Sequence, residues 1–105
     1  MGIQLLERLE ALHALGYVHN DLKPEYMVVG HTDPSTIHLI DFGLATKFRE
    51  EDNSHIPKSQ ATIFNGNVLF ASPHKAKLVT ASRRDDILSM ILVIAFLLNN
   101  CKLPW

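Results

Sequence analysis

Two aspartates and a lysine stand where they can act together on a phosphate. His19-Asn20-Asp21-Leu22-Lys23-Pro24 precedes one short β-prone run, Tyr26 to Val29, and Asp41-Phe42-Gly43 follows another, Ile37 to Ile40. Gly30-His31-Thr32-Asp33-Pro34-Ser35 lies between the runs and is rich in turn formers, so the segment reads as a hairpin. A hairpin returns its ends to the same place, which predicts that Asp21 and Asp41 face one cleft. One carboxylate there can accept a hydroxyl proton while the other holds a divalent cation bridging phosphate oxygens. Lys23 can neutralise charge on the phosphoryl group in transfer. Either aspartate alone has a plainer reading as a turn residue beside a strand.

The elements that must position these residues flank the hairpin. Leu5, Leu6, Leu9 and Leu12 recur at spacings of three and four, the pattern of an amphipathic helix, with Glu7, Arg8 and Glu10 between them. Gly16 stands where a left-handed C-terminal cap is expected. No N-cap residue precedes this helix, which suggests a chain that starts inside a larger element. Residues 49–54 read as an exposed loop of mixed charge, and residues 58–70 show no sustained period. Pro73 can open a short helix through Lys77. Ser82 and Asp85 have the spacing of a capping box for a helix from Arg83 to about Leu98, apolar on nearly every side after Asp86 and expected to be buried all round in its parent fold. Asn99-Asn100 and Leu103-Pro104 end it.

Composition narrows the classes. The chain has 105 residues, 47% hydrophobic and 20% charged, enough for a packed core and against disorder. Ten Lys and Arg against eleven Asp and Glu give a net charge of −1, so charge offers no argument for a nucleic-acid or membrane-surface partner. The apolar stretch from Ile87 to Leu98 is too short to span a bilayer, which takes about 20 residues. The lone Cys101 can form neither an internal disulfide nor a thiolate zinc site, and the six histidines are scattered. No signal peptide is visible at the start, and Leu6 stands where a myristoylation motif needs Ser or Thr. An intracellular protein is expected, in cytoplasm, nucleus or both.

The order of motifs carries a resemblance. His19-x-Asp21-x-Lys23-Pro24, a hairpin, then Ile40-Asp41-Phe42-Gly43-Leu44-Ala45 resembles the catalytic and metal-binding loops of eukaryotic protein kinases. The lysine two residues after the first aspartate is similar to the serine/threonine group. His55-Ile56-Pro57, residues 66–72, Ser82-Arg83-Arg84-Asp85-Asp86 and Leu103-Pro104-Trp105 resemble the casein kinase I family. The resemblance implies part of a two-lobed α+β kinase: a partial large (C-terminal) lobe over residues 1–105, mainly α with one short β-hairpin, and no small lobe. It implies ATP and Mg2+ as cofactors and a protein substrate or partner, and leaves the oligomeric state open. By the same resemblance Asp21 is the catalytic base, Lys23 contacts phosphate and Asp41 ligates magnesium. Asp86 anchors the catalytic loop from the central helix, and His19 is structural. His13, His31, His38, His55 and His74 are left as surface or packing residues.

The chain also departs from that family. Asn20 stands where the family has Arg, Tyr26 where it has the Asn that is the second metal ligand, Asn67 where it has Thr, and Leu69 where it has an anion-binding Arg. A phenol stays protonated near neutral pH and is a poor ligand for a hard cation. No G-x-G-x-x-G run occurs in the 105 residues. Two readings follow: a casein kinase I-like serine/threonine kinase domain fragment, and a degenerate pseudokinase fragment that binds partners without transferring phosphate.

Overall fold

The leucine spacing near the start produces α1 (Gly2–Ala14) in the computed structural model, which describes residues 1–57, 59 and 66–105. Leu5 and Leu9 point to one face and are buried with Leu22, Leu39 and Met90, while Ile37, Ile87 and Ile94 pack around them. Each leucine so buried contributes about 2 kcal/mol relative to exposure. The helix closes at Gly16, whose φ of 87° lies in the left-handed region that glycine enters without a Cβ penalty. Arg49 Nη2 donates to the carbonyls of His13 and Ala14 at 3.0 and 2.7 Å, supplying partners for the last turn of α1.

Past Gly16 come β1 (Tyr17–Val18), a 3-10 turn (Pro24–Tyr26), β2 (Met27–Val29), β3 (Ile37–Leu39) and β4 (Thr46–Lys47). The strands β2 and β3 form the hairpin, with Met27 opposite Leu39 and Val29 opposite Ile37. Its loop is closed by Asp33, which accepts from the Ser35 N–H and from the hydroxyls of Ser35 and Thr36. Polar side chains of α1 dock on β3: the Ile37 N–H donates to Gln4 Oε1 at 2.7 Å, and Arg8 Nε donates to the Ile37 carbonyl at 3.2 Å. These bonds satisfy backbone groups that the two-stranded sheet leaves open.

The strand β1 pairs antiparallel with β4, Tyr17 opposite Lys47 and Val18 opposite Thr46. The expectation of a mainly α chain with one short hairpin is therefore corrected. Among the described residues two separate two-stranded antiparallel sheets accompany three α-helices, the other two being α2 (Pro73–Ala76) and α3 (Arg83–Leu98). Strands of two residues carry no period for a sequence to display. The second sheet exists because Gly16 reverses the chain and the Phe48 N–H donates to its carbonyl at 2.9 Å, with the Phe48 ring buried beneath.

Ser82 and Asp85 close a capping box at the start of α3, the Ser82 N–H donating to Asp85 Oδ2 at 2.8 Å. The helix buries Asp85, Asp86, Ser89, Met90 and Val93. Ile91 and Leu98 are 51% and 80% exposed, where the all-round apolar pattern points to burial on every side. Phe96 meets Phe70 edge to face at 5.3 Å, and Trp105 Nε1 donates to the Leu69 carbonyl at 3.1 Å, so both ends of residues 69–70 are tied to the C-terminal part of the chain. Of the aperiodic stretch 58–70, residues 58 and 60–65 lie outside the described residues. No helix among the described residues is long and apolar enough to cross a membrane.

Candidate functional site

The loop after β1 is held from α3. The buried Asp86 carboxylate accepts from the His19 N–H at 2.8 Å and the Asn20 N–H at 3.0 Å, and His13 Nε2 lies 2.9 Å from the same carboxylate. A buried carboxylate requires such partners, because an unpaired one is far costlier than either bond is favourable. Asn20 takes a left-handed φ of 72°, a conformation Asn tolerates better than most residues. Its amide donates to the Leu44 carbonyl and to Thr46 Oγ1, which ties the turn to the segment entering β4. The backbone reversal at Asn20 carries Asp21 to the other side of the loop.

His19 has no exposed surface. Its Nδ1 accepts from the Asp21 N–H at 3.2 Å, so the proton resides on Nε2, which donates to the Ile40 carbonyl at 3.1 Å. One imidazole thus fixes the backbone on both sides of the hairpin, immediately before Asp21 and Asp41. The Phe42 and Tyr26 rings flank it at 5.3 and 6.3 Å.

Asp21 is buried and its two oxygens are differently engaged. Asn67 Nδ2 donates to Oδ1 at 3.0 Å and also to the Leu22 carbonyl at 2.9 Å, while Lys23 Nζ stands 3.7 Å from Oδ2. Lys75, on α2, donates to the Asn20 carbonyl. Burial pulls its ammonium below the ordinary lysine value, opposed by the charges of Asp21, Asp86 and Asp85. Gly66 makes room for this approach: its φ is 105°, and a Cβ there would fall 2.6 Å from the Asn20 carbonyl oxygen and 2.5 Å from Lys75 Nζ. The base of α2 is fixed in turn by Ser72, which accepts from the Lys75 N–H at 3.0 Å and donates to Asp85. Burial pushes the Asp85 carboxyl up, but hydrogen bonds from Ser72 and the Ser82 N–H together with the Arg84 charge outweigh it and hold the group below 3.8.

Asp41 is exposed and sits at a φ of 61°. The Gly43 N–H donates to it at 3.1 Å; that bond first, then one from the Tyr26 phenol, holds its carboxyl below the ordinary aspartate value, with His19 and Lys23 adding weaker electrostatic support. Hydrogen bonding with the same phenol raises the Lys23 ammonium, and Asp21 adds to the effect. Lys23 Nζ also lies 4.3 Å from the centre of the Tyr26 ring. Asp21, Lys23 and the Tyr26 ring therefore form one chain of contacts. Among the described residues no three His, Cys, Asp or Glu side chains converge on a metal-sized space. A cation at Asp41 would have one protein carboxylate and take its remaining ligands from water and phosphate, a pattern suited to Mg2+.

Three contributors have no signal in their local sequence. His13 reads as a surface or packing residue, yet it reaches Asp86 across 73 positions. Lys75 has no motif of its own, and Gly66, although it opens the 66–72 run, gives no sign there of the Asn20 carbonyl and Lys75 that it must admit. Asn67 shows in the sequence only as a departure from Thr, whereas its amide spans Asp21 and Leu22.

Comparison with known proteins gives a consistent result. The protein kinase domain family matches residues 1–105. A casein kinase 1-like protein of Oryza sativa subsp. japonica is 36% identical over 110 positions, covering all of this chain and 15% of that protein. A casein kinase I homolog of Encephalitozoon cuniculi is 34% identical, covering all of this chain and 32% of its own length. A serine/threonine-protein kinase of Dictyostelium discoideum is 35% identical, with coverage of 100% and 21%. The chain thus spans at most about a third of these relatives. The family match is to the kinase domain over the whole chain, and it lends no support to the large-lobe assignment made from the sequence.

Proposed function

The chain belongs to the protein kinase family, with casein kinase I proteins among its relatives, and on that premise we propose that residues 19–41 carry a site for phosphoryl transfer from ATP to a protein serine or threonine hydroxyl. Asp21 accepts the hydroxyl proton. Lys23, 3.7 Å from it, offsets charge on the moving phosphoryl group. Asp41 would hold a magnesium ion, which would supply positive charge to the nucleotide's phosphates. The setting is intracellular, where ATP is available.

The observation that supports this reading best is how Asp21 is held. Asn67 occupies one of its oxygens, Lys23 faces the other, and the loop beneath is tied to Asp86 and His19. A carboxylate so fixed is pre-set to receive a proton at one oxygen, with little reorganisation. A non-catalytic binding role is the second reading. It is favoured by Tyr26, which stands where the family has the Asn that is the second metal ligand, since a phenol is a poor ligand for a hard cation.

A chimera tests the first reading: residues 19–41 of this chain replace the matching segment of an active casein kinase I. Mg2+-dependent transfer to a protein acceptor is expected, reduced relative to the parent and abolished by Asp21→Ala. Transfer that survives Asp21→Ala would remove Asp21 as base, and a chimera inactive with both Tyr26 and Tyr26→Asn would favour the binding role. The 105-residue polypeptide alone is expected to transfer nothing, since it contains no glycine-rich run to cover the outer phosphates.

A further inference from the structure

The buried Phe48 ring gathers positive charge. The guanidinium carbons of Arg83 and Arg49 lie 4.8 and 5.1 Å from its centre, within reach of cation–π attraction. Arg49 Nη2 donates to the His13 and Ala14 carbonyls, which steadies that side chain against the end of α1. Arg83 comes from the first turn of α3 and is exposed. Two cations on one ring repel each other, yet among the described residues neither guanidinium forms an ion pair with a carboxylate. Among those residues the Arg83 guanidinium has no hydrogen-bond acceptor, and Arg49 has acceptors at Nη2 alone.

Both arginines line one cavity of about 510 Å3 between α1 and α3, a volume in the range of small-molecule sites. Its apolar walls come from Leu6 and Ala14 on α1 and Ile87 on α3, with Leu6 left 48% exposed. His13 also lines it, its Nε2 engaged with Asp86, and Glu10 is the one acidic residue of the lining. The arginines and Glu10 set two positive charges against one negative, so a ligand with a single negative charge balances them. No residue of this cavity lies in the segment 19–41 that carries the phosphoryl-transfer reading.

We propose that this cavity is a second binding site, for a small organic carboxylate, with its head taken between Arg83 and Arg49 and its apolar body laid on Leu6, Ala14 and Ile87. A guanidinium fork matches a carboxylate with two parallel hydrogen bonds, and Arg83 has no acceptor to give up in making them. Arg49 adds a charge already held in place, so little is lost in ordering it. Glu10 disfavours a second negative charge on the ligand, which sets a carboxylate above a phosphate monoester.

The test is titration of the full 105-residue chain with octanoate, followed in proton–nitrogen and methyl NMR spectra that also report the fold of each variant. Saturable shifts are expected at the Arg83 and Arg49 Nε–H signals and at the Leu6 and Ile87 methyls. Octanol, with the same chain length and no charge, is expected to bind about tenfold more weakly, the equivalent of one charge-assisted hydrogen bond. Arg83→Gln is expected to weaken octanoate by a similar factor and to leave octanol unchanged. Octyl phosphate is expected to bind the unaltered chain no more tightly than octanoate, and to gain more than octanoate does from Glu10→Gln. Octanol binding as tightly as octanoate, or octanoate binding unmoved by Arg83→Gln, would reveal a merely apolar groove and overturn the proposal. A preference of the unaltered chain for octyl phosphate would overturn the assignment to a carboxylate. Absence of saturable shifts at millimolar octanoate would overturn the site itself.

Discussion

Asp86 and Asp41 are the carboxylates on which the two loops of the site depend, and they are held in opposite ways. Asp86 is buried on α3 and gathers the His19 and Asn20 N–H groups and the His13 ring from 66 to 73 positions away. Asp41 is exposed and relies on a near neighbour, the Gly43 N–H two residues on. The first loop is fixed by tertiary packing, so its geometry survives unless the fold is breached. The second is set by a local turn, so its geometry can change while the fold stays intact. Stability resides on one side of the site and adjustability on the other.

Removing the tertiary anchor should have the largest effect. Asp86→Ala leaves two backbone donors and the His13 ring without an acceptor, and is expected to cost about 3 kcal/mol. A urea midpoint equal to that of the unaltered chain would dissolve the contrast. Gly66→Ala comes next, at about 2 kcal/mol, because the new methyl meets the Asn20 carbonyl and the φ of 105° is strained for any other residue. Lys75→Met should not rescue it, because the obstructing atom is backbone; recovery in the double variant would show that the lysine alone sets the limit.

Acid sensitivity separates the buried network from the rest more gently. The folded-state carboxyl of Asp85 lies below its ordinary value of 3.8. Its contribution to stability is therefore complete above pH 3.8 and lost as pH falls through the lower folded value. Between pH 6 and 3 the unaltered chain should lose more stability than Asp85→Asn, measured by denaturant midpoints at each pH. Parallel losses would remove Asp85 as a source of the acid response. The smallest stability effect is expected at Asp41. Asp41→Asn should leave the urea midpoint unmoved while eliminating transfer in the chimera, and a large fall in midpoint would show that this loop too is anchored by the fold.

The contrast also explains what the sequence could display. Leucines at helical spacing, the Ser82–Asp85 box and the turn formers between two β-prone runs are local signals, and α1, α3 and the hairpin follow from them. The β1–β4 pair is hidden because two-residue strands have no period and their partners lie about thirty positions apart. The Asp21 and Asp41 loops stand out by residue type, but their supports do not. His13 and Lys75 matter only through where the folded backbone carries them, and nothing in their immediate neighbours marks that destination. The all-round apolar pattern of α3 records hydrophobicity without recording which face finds a partner, so Ile91 and Leu98 stand open although nothing in their spacing sets them apart.

The indole hydrogen bond from Trp105 to the Leu69 carbonyl has an optical consequence. Trp105 is the sole tryptophan of the chain, so every photon of indole emission comes from a ring attached to the short segment whose Asn67 holds Asp21. Selective excitation of the indole would report the state of that segment without any added dye. A spectral shift on adding a peptide or nucleotide would then be a local reading taken beside the reacting carboxylate, recorded in real time from the unlabelled protein.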